Sequence, residues 1–303
     1  MSPPRLFDRA LLRHRRDRAA PRLEIAGDLL EAAAERLIDR LDDTTRRFPR
    51  VLDLGCHDGR LGRRLIGRPG VERLVQCDLS AAMAARAAAA VPGALTVIAD
   101  EEALPFAPES FDLVISSLSL GLVNDLPGTL AQVRRLLAPD GLFLAGVLGG
   151  ATLGELRAAL GEAEIAEEGG LSPRVHPMLD VRDAGDLLAR AGLALPVADR
   201  EPVTLSYSSP LALMAEARAL GQSNLMHERR RRPLRRGTLG AALAAYQAAH
   251  EDDTGRVTAT VEWLTLTAWA PHPDQPRPAP RGSGQMPLAE ALEGAVCPTT
   301  PPE

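Results

Sequence analysis

The stretch VLDLGCHDG, Val51 to Gly59, decides how the whole chain is read. Val51, Leu52 and Leu54 make a short apolar strand, Gly55 and Gly59 bracket a turn, and from Arg60 the apolar spacing becomes helical through Leu61, Leu65 and Ile66. Strand, glycine turn and helix, in that order, aim backbone N–H groups and a helix N-terminus at a ligand. The bland alternative is an ordinary buried strand ending in a tight turn. A dinucleotide turn of the form G-x-G-x-x-G needs its second glycine so that backbone can approach a pyrophosphate, and His57 stands at that position. A dehydrogenase is thereby the weakest of the nucleotide readings.

An acid two residues before the first glycine, as in Asp53-Leu54-Gly55, suits another ligand. S-adenosylmethionine has no phosphate but carries an ammonium, a carboxylate and a sulfonium. Asp53 can hold the ammonium directly or through water, and Gly55 lets the cofactor come close. Working outward, Val71 to Asp78 (VERLVQCD) is a second strand that ends in an acid 19 residues after Gly59. An acid near that distance, at the end of the next strand, commonly takes ribose hydroxyls. Ser80 is placed to cap an alanine-rich helix over 81–90. A third strand, Ala94 to Ala99, runs into Asp100-Glu101, where Asp100 can accept from an adenine amino group or be a solvated loop acid. A fourth, Phe111 to Ser117, precedes a helix from Leu126 to Leu137. Pro139-Asp140-Gly141 reads as a turn before a fifth strand, Leu142 to Leu148. These near-continuous apolar runs mark strands buried on both faces, hence parallel strands with helices on either side.

Outside this core, a helix beginning near Phe7 carries Arg9, Arg13, Arg15, Arg16 and Arg18. It reads as a solvated face, or as a lid whose arginines meet an acidic substrate or the cofactor carboxylate. Leu29, Ala33, Leu37 and Leu41, widened by Leu30 and Ile38, mark an amphipathic helix from about Leu23 to Asp43. A helix follows Gly149-Gly150, and another covers Val181 to Ala191. Leu193 to Tyr207 holds a sixth strand and Arg256 to Trp269 a last one, with a helical segment 209–250 between them. That segment is interrupted by HERRRRPLRR (227–236), read as a solvated or mobile loop with docking as the lesser reading. Trp263 and Trp269 share a strand face, which core packing explains. The organisation expected is a helical cap over 1–48, a cofactor-binding α/β core over 49–208, a helical lid over 209–254, the last core strand over 255–270 and a disordered polar tail over 271–303.

Composition narrows the classes. The chain has 303 residues, enough for a sizeable core, and a net charge of −5. Every one of its 35 basic residues is Arg, a coding bias rather than a signature, and the acidic balance argues against nucleic acid. Cys56, Cys77 and Cys297 lack metal-ligand spacing, which fits buried thiols, no metal site and a cytoplasmic location. No apolar run approaches the ~18 residues of a membrane span. Peripheral membrane contact is compatible with that.

The glycine turn, Asp78, Asp100 and the segment LPFAPESFDLVISSLSL (104–120) together resemble the class I methyltransferases that depend on S-adenosylmethionine. Within that class, LFDRALLRHRRDRAA, VNDLPGTLAQVRRLLAPDGLFLAGVLGG, SPRVHPMLDVRDAGDLLARAGLALPVAD and RRPLRR resemble bacterial relatives of the complex I assembly factors, akin to the malonyl-carrier O-methyltransferases of biotin synthesis. The likeness spans roughly residues 5 to 275. It implies a Rossmann-like, mostly parallel seven-stranded sheet with an antiparallel final strand. It also implies a cofactor site drawn from Asp53, Gly55, Cys56, Gly59, Asp78, Leu79, Asp100, Glu101 and Ser116. Two activities come with it: methylation of a malonyl carboxylate on an acyl carrier protein, and arginine hydroxylation on a complex I subunit. A non-catalytic binder that keeps the fold is a third reading. Relatives commonly have His-Trp after SLSL, where this chain has Gly121-Leu122. A carboxylate acceptor needs no general base, whereas an amine or hydroxyl does. Ser116, Ser117, Ser119, Asn124, Tyr207 and His176 are the candidates facing the reaction, each with a structural reading beside it.

Overall fold

In the computed structural model of the chain, which describes residues 5–276 with Ser283, Met286 and Glu290, seven strands form one sheet. They are β1 (Arg50–Leu54), β2 (Arg73–Asp78), β3 (Leu95–Ile98), β4 (Phe111–Ser117), β5 (Leu137–Leu148), β6 (Ala194–Tyr207) and β7 (Val257–Trp269). The order is β3-β2-β1-β4-β5-β7-β6. The five strands from β3 to β5 pair in parallel, while β7 runs antiparallel between β5 and β6. The strand order reverses between β1 and β4. In such sheets the crevice beyond the carboxyl ends of the two switch-point strands is the ligand site.

Helices fill both faces. They are α1 (Arg9–Ala19), α2 (Gly27–Asp42), α3 (Arg60–Leu65), α4 (Ala81–Ala90), α5 (Leu126–Leu136), α6 (Gly154–Glu168), α7 (Val181–Arg190), α8 (Pro210–Ala219) and α9 (Arg236–His250). Because strand side chains alternate, Leu52, Leu54 and Val114 join Leu130 and Val133 of α5 and Leu188 of α7 on one face. Val51, Leu113 and Ile115 meet Leu37 and Leu41 of α2 and Leu61 and Leu65 of α3 on the other. Asp53 shares a face with Val51 and so lies under α2 and α3, fully buried.

Several local expectations shift. The helix expected from about Leu23 is a 3-10 turn over Ala20–Ala26, with Pro21 in its first turn, before α2 begins. Pro139-Asp140-Gly141 does not interrupt the fifth strand as a separate turn. Its residues lie within β5, with Asp140 at φ 61° and the β4 register stepping between Phe111 and Leu113, as a bulge does. Ser80 caps α4 by accepting from the Met83 N–H. The two tryptophans pack into the core clusters, Trp263 against Gly146 and Trp269 beside Phe48.

The segment between β6 and β7 is helical as expected. α8 buries Leu213 and Ala219, and Leu220 just after it is buried too, while α9 lies on α6 through Ala242 and Tyr246, whose hydroxyl donates to the Thr258 carbonyl at 2.8 Å. Of the arginine run, Arg229 pairs with Asp8 at 3.3 Å and Arg230 with Glu164 at 3.2 Å, while Arg231, Arg232, Arg235 and Arg236 are exposed. The expected tail and Cys297 lie, beyond Pro276 and apart from Ser283, Met286 and Glu290, outside the described residues. No helix among the described residues is long and apolar enough to cross a membrane.

Candidate functional site

The turn after β1 is built from left-handed backbone. Gly55 and Gly59 have φ of 76° and 82°, a region where glycine carries no steric cost. A Cβ on Gly55 would collide with Ser119, so only glycine fits beneath that residue. His57 adopts φ 48° at the position where a dinucleotide turn has glycine, so the turn closes without the middle glycine. The turn is tied to β2: Gly55 and Cys56 donate their N–H groups to the Cys77 carbonyl at 2.8 and 2.9 Å, and His57 N–H donates to the Asp78 carboxylate at 3.1 Å. Cys56 and Cys77 are buried free thiols, and burial, followed by nearby carboxylates, pushes both well above the ordinary thiol range. They are packing groups in this setting.

Four acids converge around this turn, and their environments differ. Asp53 is fully buried with neither carboxylate oxygen hydrogen-bonded, and burial, then the charges of Asp78 and Asp58, raise it to about 8. Asp78, also fully buried, accepts from His57, from Ser80 N–H at 2.8 Å and from the Arg16 guanidinium at 3.2 Å. Glu101 is 1% exposed. Burial alone would raise it, but Arg9, Arg16 and the Ser119 hydroxyl outweigh burial and bring it down to about 2. Asp100, partly exposed, pairs with Arg9 at 2.5 Å.

The cations come from α1. Asp8 caps this helix by accepting from Leu11 N–H at 2.9 Å, and Leu12, Arg16 and Ala19 form its buried stripe. Arg16 is 0% exposed, reaching Asp78, Glu101 and the Ser119 hydroxyl. Arg9 reaches Asp100, Glu101 and the Leu122 carbonyl. The solvated reading therefore fails for these two arginines, and they meet the site's own acids. Helical spacing carried the missed signal, since Arg9, Leu12, Arg16 and Ala19 recur at three- and four-residue steps on one side. What space remains beside the turn, between Asp53, Gly55, Asp58, Leu61 and Ser117, is about 10 Å³.

The other candidates divide. Asp53, Gly55, Cys56 and Ser117 line one small cleft, with Gly59 and Asp78 completing the turn and its tie to β2. Ser117 has a buried hydroxyl with no partner, whereas Ser116 donates to the Leu54 carbonyl at 2.7 Å and stitches β4 to β1. Asn124 latches the N-terminus, accepting from Phe7 N–H at 2.7 Å and donating to its carbonyl at 3.1 Å. Leu79 packs into an apolar cluster with Phe7, Leu12, Leu122 and Leu225. Tyr207 lies elsewhere, in a cavity between α2 and the β6–β7 pair beside Glu216 and Trp263. His176 is buried edge-on against Phe7 at 5.6 Å, and burial, then Arg157, lowers it to about 4. Gly121 has open space where a Cβ would stand, so a side chain there would be accommodated.

Chemically, the site offers an unpaired acid at the end of β1, a second acid on β2 and a third after β3, around a turn that lacks the middle glycine of a dinucleotide fingerprint. The unpartnered buried atoms of Asp53, Asp58, His57 and Ser117 are what a polar, ammonium-bearing ligand would satisfy.

Comparison with known proteins gives the same class. A methyltransferase domain model matches residues 52–145. Among solved structures, a Bacillus halodurans protein superposes with a TM-score of 0.56 at 16% identity, over 80% of this chain and all of that one. Phosphoethanolamine N-methyltransferase 2 of Haemonchus contortus, solved with S-adenosyl-L-methionine, gives a TM-score of 0.50 at 16% identity, over 79% of this chain and 52% of that one. At such identities these two show the fold alone. Fold, turn and domain match thus define a class I methyltransferase whose cofactor is S-adenosylmethionine. The mitochondrial arginine-hydroxylase NDUFAF5 of Danio rerio is 38% identical over 94% of this chain and 89% of its own length, and that of Homo sapiens is 38% identical over 94% and 83%. The malonyl-[acyl-carrier protein] O-methyltransferase of Halorhodospira halophila is 37% identical over 87% and 88%. The chain belongs to the methyltransferase family that unites these two groups.

Proposed function

We infer that this protein is an S-adenosylmethionine-dependent enzyme acting on a protein partner in the assembly of respiratory complex I. The carrying observation is the extent of its likeness to the NDUFAF5 arginine hydroxylases, 94% of the chain. That span goes well beyond the matched domain at 52–145 and takes in the α8–α9 segment. In this reading Asp53 holds the cofactor ammonium, Asp78 the ribose hydroxyls and Asp100 the adenine amino group. Gly55, Cys56 and Gly59 shape the turn, and Leu79, Glu101 and Ser116 complete the surroundings. When bound, the cofactor supplies an electrophilic methyl on a sulfonium. The chain's own share of the work is positioning, since the leaving group is built into the cofactor. Ser117, with its free hydroxyl beside Asp53, is the best placed of the candidate catalytic side chains. Asn124 and Tyr207 are committed to structural contacts or lie away from the turn.

Access is part of the proposal. Asp78 cannot offer both carboxylate oxygens to a ribose while Arg16 holds them, so the cofactor exchanges with Arg16 and α1 shifts when it enters. A second reading is favoured by the likeness to the malonyl-carrier enzymes, in which the exposed arginines 231, 232, 235 and 236 would meet an acidic carrier protein. Deletion of the gene in its host separates the two. Loss of complex I activity without a biotin requirement is expected. Normal complex I with biotin auxotrophy, relieved by returning the gene, would reverse the order of the readings.

A further inference from the structure

A cavity much larger than the space beside the glycine turn lies elsewhere. It measures about 680 Å³ and lies where α6, α8 and α9 meet the loop after α8. That is well within the range of small-molecule sites. One part of its wall is aliphatic: Leu153, Leu156, Leu160, Met178, Met214 and Leu239. The rest carries Arg15, Arg174, Arg218, Arg229, Arg230 and Arg231, and no Asp or Glu lines it.

These arginines are not equally satisfied. Arg174 and Arg230 share Glu164, and Arg229 has Asp8. The guanidinium groups of Arg218 and Arg231 have no hydrogen-bond or ion-pair partner among the described residues. Arg15 makes no ion pair and is held by the Ser223 and Asn224 carbonyls and the Ser223 hydroxyl. Burial and the charges of Arg229 and Arg18 push against its ionised form. The Asp8 carboxylate offsets this only in part, since Arg15 is lowered on balance and Asp8 is itself paired with Arg229, and a half-buried cation hydrogen-bonded only to neutral acceptors is a place where an anion gains most. His176, the other titratable group in the wall, is neutral at ordinary pH, so it neither supplies nor blocks charge.

We propose that this cavity is a binding site for an anionic amphiphile, a ligand with an extended aliphatic body and its own carboxylate or phosphate head, the body lying on the leucine and methionine wall and the head between Arg15 and Arg218. A malonyl group has no such body, and a neutral lipid would leave the arginines unpaired. The site does not require the cofactor, because α1 stands between the two. Arg15 faces this cavity while Arg16 faces the acid cluster.

The test is calorimetric titration of the purified full chain, without cofactor, with dodecanoate, dodecyl phosphate and dodecanol. One-to-one binding of at least one anion, tenfold or more tighter than dodecanol, is expected. Arg218→Gln, at an exposed position, should keep the parent circular dichroism spectrum and cut that preference to threefold or less. Arg15→Gln should act in the same direction. Preference for dodecanoate points to free fatty acids and preference for dodecyl phosphate to phosphate-headed lipids. The proposal is overturned if no anion binds, if dodecanol binds as tightly, or if Arg218→Gln keeps the full preference.

Discussion

Asp53 is the one buried acid at the turn without a cation. Its pKa, raised by burial from 3.8 to about 8, means that the folded protein keeps a proton that the unfolded chain releases. Stability therefore falls as pH rises from about 4 to about 8, and the penalty persists above that. Asp53→Asn removes this dependence. Without cofactor, the stability difference between variant and parent should move by on the order of 5 kcal/mol in the variant's favour between about pH 4 and about pH 9. Denaturant unfolding at the two pH values measures it, and a pH-independent difference would contradict the assignment. A bound ammonium reverses the preference and favours the carboxylate. Cofactor binding near pH 7 should then release a proton, seen as a buffer-dependent binding enthalpy that Asp53→Asn abolishes.

At the scale of elements, α1 is the part whose role the structure changed. Arg16→Met leaves the Asp78 and Glu101 carboxylates short of a buried cation, with Arg9 still on Glu101. The expected loss is about 3–5 kcal/mol. Adding Asp78→Asn should recover part of that, a coupling that separate additive losses would rule out. On the proposed exchange of Arg16 for cofactor at Asp78, saturating cofactor should alter hydrogen exchange across 9–19 and 120–124, where Arg16 and its neighbours lie. Exchange in α1 that does not respond would argue against its displacement. The same element shows what was legible in the sequence. Strand and helix positions followed from apolar periodicity, and Asp53, Gly55, Gly59 and Asp78 followed from spacing along contiguous chain. Arg16 did not, because its partners are 62 and 85 residues away and a charge-rich helix reads as solvated until its apolar stripe is traced. Where Tyr207 lies was illegible for a related reason: the long β6–β7 pair carries the end of β6 into a cavity beside α2.

Across the whole molecule, a domain that ordinarily ends with its sheet is extended by α8 and α9, inserted between the two antiparallel strands. These helices have their own apolar cluster with α6, so a lid motion would centre on the loop 221–235 and on α1 rather than on the helix bodies. Tyr246→Phe, which removes the bond to the Thr258 carbonyl, should cost about 1 kcal/mol of stability and leave cofactor affinity unchanged. A changed affinity would couple α9 to the turn. The most direct measurement of the account is calorimetric titration of the intact chain with S-adenosylmethionine and NADH, on the parent and on Asp78→Ala. The parent should bind S-adenosylmethionine once, in the micromolar range, and NADH not at all, with Asp78→Ala weakening binding by about 1–3 kcal/mol. Tight NADH binding with none of S-adenosylmethionine would contradict it.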